Sequence, residues 1–282
     1  MIRHASTASI WGFALALALA LAGTPAESAE PPAEPAVSYA DLADLADRAP
    51  VVLRAQVRKV AAVEPERAPG LRPGWARIYV EAQTQALLAG PAQTGSALRY
   101  LADVPLDAKG KAPRLTRRSV LLFARPVVER PGELQLVAPD AQLAWGPATE
   151  QRVRAILGEL LAADAAPRVH KVREAIHVPG TLAGEGETQL FLETAGDQPA
   201  TISVVHKPGE AARWSASFSE VLDTAGTPPP RETLAWYRLA CFLPDGLDAG
   251  VNVSATAEDR AQAEADYAMV RAELGECPRA RG

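Results

Sequence analysis

The densest group of chemically active side chains in this sequence is basic. Five lysines and arginines fall within residues 109–118, in a segment that we predict to be a loop: Lys109, Lys111, Arg114, Arg117 and Arg118. A cationic loop can bind an acidic protein, lipopolysaccharide or a polyanionic glycan, and a solvated loop without a ligand is the alternative. We predict a binding surface here, extended by Arg54, Arg58 and Arg77 if the fold brings them close.

A second set of candidate residues has the spacing of metal ligands. On a helix, His170, Glu174 and His177 would share one face. The surrounding valines and isoleucine, followed by Pro179 and Gly180, favour a strand instead, on which His177 points away from the other two. We therefore predict surface histidines, no metal site and no cofactor.

Motifs for nucleophilic catalysis or phosphate binding do not occur in the sequence. A hydrolase would need a nucleophile such as the serine of G-x-S-x-G or S-x-x-K. The serines near His206 fall in predicted strands and are predicted to be exposed: Ser203, Ser215, Ser217 and Ser219. An active site assembled from distant residues stays open as the alternative to binding.

The N-terminus predicts export. Arg3 precedes an apolar run that ends near residue 22, and small residues follow, so we predict a cleavable signal peptide over residues 1–29 and a periplasmic or secreted protein. An uncleaved anchor is the alternative. Removing the leader leaves the net charge at −5, which gives no global reason to bind nucleic acid. No later apolar stretch has membrane-spanning length.

Two cysteines remain after the leader, Cys241 and Cys277. In an oxidising compartment, an even count without a C-x-x-C motif predicts one structural disulfide. A buried Cys241 with a free Cys277 is the alternative.

The elements that would position these residues are mostly strands. After a proline-rich spacer (residues 30–37), Ser38 and Asp41 predict a capped helix that ends before Pro50, with Asp41, Asp44 and Asp47 on a solvated face. Alternating apolar residues then predict strands at 51–58, 78–89, 97–104, 119–125 and 134–137, with a further one near 140–145. Without crossover helices, these strands imply an antiparallel meander or a small barrel.

The order of these elements resembles secreted bacterial domains of the OB-like, netrin/TIMP-like type. The similarity covers residues 38–145 and includes "LADRAP", "VVLRAQVRKV", "ALLAGP" and "SVLLFARPV". It implies a five-stranded barrel that binds protein, oligosaccharide or nucleic acid. The N-terminal cysteine of the TIMP-like protease inhibitors is missing, so the resemblance does not imply inhibition.

We predict a mainly β protein with a few helices, of the α+β class, in two domains. An OB-like barrel (38–148) is followed by a connecting helix and boundary (149–167), and then by a β-rich, sandwich-like domain with a C-terminal helix (168–282). In this second domain we predict strands at 168–178, 188–194, 200–206, 212–221 and 231–243. Thr256 and Asp259 predict the start of the C-terminal helix, and Gly275 its end. The predicted function is non-enzymatic binding of a protein or an anionic envelope polymer, with an exported hydrolase as the alternative.

Overall fold

The computed structural model describes residues 37–91, 95–219 and 226–281, and in these it contains ten strands in two antiparallel sheets and four helices. This confirms the predicted class, which is mainly β with helices. The predicted leader and residues 30–36 of the spacer lie outside the described residues.

The first sheet has six strands. They are β1 (Val51–Ala62), β2 (Trp75–Ala89), β3 (Ala97–Pro105), β4 (Ser119–Pro126), β5 (Leu134–Leu136) and β6 (Gln142–Ala144). Their order is β3-β2-β1-β4-β5, and β6 also pairs with β4. The predicted closure into a barrel is wrong. Strands β3 and β5 stand at the two ends of this order and do not pair with each other, and the bridge between Arg99 and Glu133, the residue before β5, is isolated.

Two helices pack beside this sheet, and the first begins after its predicted cap, Ser38. Helix α1 (Tyr39–Arg48) has a complete capping box, because the Ser38 side chain accepts from the backbone N–H of Asp41 while the Asp41 carboxylate accepts from that of Ser38. Helix α2 (Pro147–Leu160) follows Gly146 and buries Val153, Ile156 and Leu157. Proline suits this first helical position because its missing N–H would be unpaired there in any case.

The second sheet has four strands in the order β10-β9-β8-β7, and one helix packs on it. These elements are β7 (Val169–Pro179), β8 (Gly186–Thr194), β9 (Thr201–His206), β10 (Arg213–Ser217) and α4 (Ala257–Leu274). Helix α4 has its predicted capping box at Thr256 and Asp259 and ends at Gly275, whose φ of 69° favours glycine. Helix α4 packs against β7 and β8 of this sheet, and the sandwich-like arrangement stays a prediction.

The predicted strand over 231–243 is wrong, because this segment contains helix α3 (Leu234–Ala240). The side chain of Thr233 caps it by accepting a hydrogen bond from the backbone N–H of Trp236. Every residue from Leu234 to Ala240 except Ala235 is buried. A helix buried on nearly all sides shows no amphipathic period, and so its sequence resembles a buried strand.

The predicted solvated face of α1 is also wrong. Asp41 is 2% exposed, and the carboxylates of Asp41, Asp44 and Asp47 all bind groups that follow residue 160 in the chain. Asp41 accepts from the backbone N–H groups of Ala280 (2.9 Å) and Arg281 (3.2 Å). Asp44 accepts from the Tyr237 hydroxyl (2.6 Å) and from Arg279 Nε (2.7 Å). Asp47 accepts from Arg168 Nε (2.6 Å) and from Arg238 Nη1 (2.8 Å). The row of carboxylates therefore holds distant segments together.

The hydrophobic core is continuous across both sheets. Buried residues of both sheets and of all four helices belong to one cluster, and residues 37–282 form one compact unit. The disulfide between Cys241 and Cys277 joins the end of α3 to the segment after α4, as predicted. The division into two domains at residues 149–167 stays a prediction.

Candidate functional site

The basic loop comprises residues 106–118, between β3 and β4. Both of its ends are fixed by backbone hydrogen bonds. At the first end, the N–H of Leu106 donates to the carbonyl of Gly74 (2.8 Å). At the second end, Arg117 N–H donates to the Val57 carbonyl (2.8 Å), and Val57 N–H donates to the Arg118 carbonyl (2.9 Å).

A tight turn orders the first half of this loop. One oxygen of the Asp107 carboxylate accepts from the backbone N–H groups of Lys109 (2.9 Å) and Lys111 (2.8 Å). The backbone N–H of Lys111 is therefore already hydrogen-bonded. Gly110, which lies between the two lysines, has a φ of 71°. Asp107 is the one acidic residue of the loop, against five basic ones. The loop therefore has a fixed backbone and an excess of positive charge.

The predicted binding residues are all exposed. Lys109, Lys111, Arg114, Arg117 and Arg118 lie on the surface of the basic loop. Within the described part of the chain, none of their side chains forms an ion pair. Their charges are available to a ligand.

Of the three arginines predicted to extend this surface, one remains exposed. Arg77 forms a two-pronged pair with Asp103 (2.7 and 2.9 Å), and this hydrogen bonding raises the pKa of the guanidinium. Arg54 is half-buried and pairs with Glu150 (3.0 Å). Arg58 is exposed and donates to the amide oxygen of Gln83, and its neighbour Val57 is bonded to the end of the loop. Arg58 therefore adds to the positive surface.

An exposed tryptophan, which the sequence analysis did not single out, lies beside the end of the loop. Trp145 is 38% exposed, and its backbone N–H donates to the carbonyl of Ser119, the residue after Arg118 (3.1 Å). Its indole N–H donates to Glu150 (2.5 Å), and the Arg54 guanidinium lies 5.1 Å from the ring centroid. Burial tends to raise the pKa of the Glu150 carboxyl, but hydrogen bonds from Trp145 and Arg154 and nearby positive charges hold it below its usual value.

The candidate metal set is not brought together. His170 and Glu174 are exposed on β7, whereas His177 is 8% exposed and lies under α4. The strand prediction for this segment is confirmed, and the prediction that His177 is a surface residue is wrong. In the described ranges, no group of three or more His, Cys, Asp or Glu side chains has the arrangement of a metal site.

His177 instead belongs to a buried polar cluster between the second sheet and α4. The Thr188 hydroxyl donates to Asp266, and it lies 2.8 Å from His177 Nδ1. His206 Nε2 is 2.9 Å from both oxygens of Asp266, and Asp266 is 2% exposed. Because these residues come from β7, β8, β9 and α4, no local motif in the sequence reveals the cluster.

This cluster lacks an accessible nucleophile among the residues that the structure describes. The hydroxyl groups that contact it, those of Thr188 and Ser254, are both buried. Ser203 and Ser215 are each 3% exposed, so their predicted exposure is wrong. They pair across β9 and β10, and the alternation of strand residues places Ser203 on the face opposite His206. A serine–histidine–aspartate site is thus not formed by these residues.

A cleft with a volume of about 330 Å³ lies beside α1. Several of the charged side chains that line it are already paired, since Asp140 accepts from Arg72 (3.2 Å) and Arg281 (2.7 Å), and Asp103 binds Arg77. No histidine or serine among the described residues lines it. The described residues of this cleft therefore do not supply the serine and histidine of a serine hydrolase.

The chain matches no protein-family model, and a search of curated proteins finds no relative. The resemblance to OB-like domains therefore stays a prediction. Over the residues described, no helix is long and apolar enough to cross a bilayer.

Proposed function

We propose that this is an exported, non-enzymatic binding protein that recognises an anionic partner through the basic loop. The observation that carries the proposal is the exposure of five basic side chains that have no ion-pair partner among the described residues, on a backbone fixed at both ends. A fixed backbone lowers the conformational entropy lost when a ligand binds.

The loop differs from other arginine-rich parts of this molecule. Arg77, Arg168 and Arg238 each bind a carboxylate at 2.6–2.8 Å, so their charges stabilise the fold. The loop side chains have no such role. We infer that their charge serves binding.

The hydrolase alternative has less support. Among the described residues, no exposed hydroxyl contacts the buried cluster around Asp266, and no histidine lines the cleft beside α1. The leader and the disulfide support a site of action outside the cytoplasm, where disulfides persist.

The test replaces Arg114, Arg117 and Arg118 by alanine and measures binding of two labelled polyanions, polyphosphate and oligogalacturonate, by fluorescence anisotropy. We expect affinity to fall about tenfold or more and its salt dependence to flatten, because the attraction is screened within about 8 Å at physiological ionic strength. Thermal stability should stay almost unchanged, since these side chains are exposed.

A matched control removes three exposed cations from the second sheet and its β9–β10 turn, with Arg173, Lys207 and Arg213 changed to alanine. The control and the loop variant have the same net charge. If the control weakens binding as much as the loop variant, or if the loop variant binds normally, the proposal is wrong.

A further inference from the structure

The basic loop continues onto the outer face of the first sheet, where side chains that donate hydrogen bonds form a connected surface. We call this surface the outer strip. It consists of Arg58, Gln83, Gln85, Arg117, Arg118, Ser119 and Trp145.

Hydrogen bonds and strand register hold the outer strip together. Arg58 donates to the amide oxygen of Gln83, and the Ser119 hydroxyl donates to that of Gln85 (2.9 Å). Gln56 lies between the two pairs, opposite Gln83 on β2 and opposite Ser119 on β4. The strip is therefore continuous from β2 across β1 to the end of the loop.

The outer strip presents donors to solvent. A guanidinium group can only donate, so Gln83 must turn its oxygen toward Arg58, which leaves its NH₂ group facing away from that contact. Gln83 is exposed, and its NH₂ group has no hydrogen bond to a described residue. Together with Arg117 and Arg118, it forms a surface suited to carboxylate and hydroxyl acceptors.

Trp145 adds an apolar surface at the end of the outer strip. Its N–H is used by Glu150 and one side of the ring is near Arg54, so the exposed part of the indole is apolar ring. Aromatic rings pack well against the flat C–H faces of sugar rings, because both surfaces are apolar and rigid.

We infer that the ligand is an acidic polysaccharide built from uronic acids, which lies along the outer strip. This inference rests on the proposed function and names its ligand class. The guanidinium groups of Arg58, Arg117 and Arg118 bind the carboxylates, Gln83 and Gln85 donate to ring hydroxyls, and Trp145 packs against a sugar ring.

Two other polyanions fit this surface less well. Single-stranded nucleic acid binds through successive aromatic side chains, and Trp145 is the one aromatic residue among the exposed large apolar side chains in the described ranges. Membrane surfaces select for lysine and arginine, and amide donors such as Gln83 contribute little there.

The experiment compares oligogalacturonate, which has both charge and sugar rings, with polyphosphate, which has charge alone. Trp145→Ala should weaken oligogalacturonate binding about five- to tenfold and leave polyphosphate binding within about twofold of the original. Trp145→Phe should bind oligogalacturonate almost normally, because it keeps an apolar ring and loses only the N–H donor to Glu150. Leu182→Ala, which removes an exposed apolar side chain from the β7–β8 turn, is the control and should have no effect.

Each remaining outcome decides against one of the two proposals. Normal oligogalacturonate binding by Trp145→Ala, with the arginine triple variant still weakened, would overturn the polysaccharide inference and leave the proposed function intact. Tighter binding of single-stranded DNA than of oligogalacturonate would also overturn the polysaccharide inference. A loss of oligogalacturonate affinity in Trp145→Phe equal to that in Trp145→Ala would overturn it as well. Normal binding of both polyanions by the triple variant would overturn the proposed function itself.

Discussion

The carboxylate of Asp47 offers the sharpest test of how the fold is held together. It receives two hydrogen bonds from Arg238 (2.8 and 2.9 Å) and one from Arg168 (2.6 Å), and the Arg238 side chain is 4% exposed. Asp47→Ala leaves the Arg238 guanidinium buried without a counter-ion. Such losses cost about 3–5 kcal/mol, and we expect about 3 because Arg238 Nε still donates to the Ala166 carbonyl.

Urea denaturation gives the free energy of unfolding of each variant. For a chain of this size, about 3 kcal/mol corresponds to a fall of about 6–12 °C in Tm. The control is Glu193→Ala, which breaks an ion pair with Lys171 that is 51% and 41% exposed and should cost less than about 1 kcal/mol. Adding Arg238→Met to Asp47→Ala should restore part of the loss, because it removes the unpaired buried charge.

The ion pair of Asp47 with Arg238 also predicts that the stability of the fold depends on pH. Burial tends to raise the pKa of the Asp47 carboxyl, but the hydrogen bonds and charges of Arg238 and Arg168 outweigh it and hold the pKa below its usual value. Asp47 therefore stabilises the fold fully above its unfolded pKa of about 3.9 and loses this effect as the pH falls through the lower folded pKa. The stability difference between the original protein and Asp47→Ala should be constant near neutrality and shrink below about pH 4. Equal losses in Asp47→Ala and Glu193→Ala, or no recovery in the double variant, would refute the reasoning.

Three further predictions concern the disulfide, the N-terminus and the buried cluster. Cys277→Ser should lower the free energy of unfolding by about 4 kcal/mol, since the bridge spans 36 residues, and two freely alkylated thiols in unreduced protein would contradict it. Mass spectrometry of the exported protein should find an N-terminus between residues 23 and 30; retention of Met1 would contradict cleavage. Thr188→Val removes the hydroxyl between His177 and Asp266 and should cost about 1–3 kcal/mol in urea denaturation, whereas a change under about 0.5 kcal/mol would show that the cluster contributes little.

Local signals in the sequence were reliable where they have a local physical cause. The capping boxes at Ser38 and Thr256 depend on side chains three residues apart, and both are present. Alternation located β3 because one of its faces is buried, with Leu98, Tyr100 and Ala102 pointing inward.

The errors came from tertiary contacts that local sequence does not encode. Helix α3 has no polar face, so its pattern did not distinguish helix from strand. Asp41, Asp44 and Asp47 have the spacing of a solvated helix face, but their tertiary partners lie 121–240 residues away. His177 was predicted to be exposed because its burial depends on α4, which is far from β7 in sequence.

In the candidate site too, the features with a local signal in the sequence were predicted and those that depend on tertiary contacts were not. The basic loop is visible in the sequence because its charges are contiguous. Trp145 and Gln83 join it only through the pairing of β1 with β2 and β4 and of β6 with β4, which brings residues from four segments onto one face. The signal that would have helped is a polar, amide-rich outward face on β2, where solvation alone does not require glutamines at 83 and 85.

An acidic protein can present a cationic surface because its charges are distributed unequally. The carboxylates of α1 bind Arg168, Arg238 and Arg279, and Asp140 binds Arg281, so many acids and bases of the fold neutralise one another. The basic loop has one acid, Asp107, and that carboxylate is directed at backbone N–H groups of the loop itself. Since screening limits the reach of the net charge of −5 to about 8 Å, a ligand at the outer strip responds to the local excess of cations.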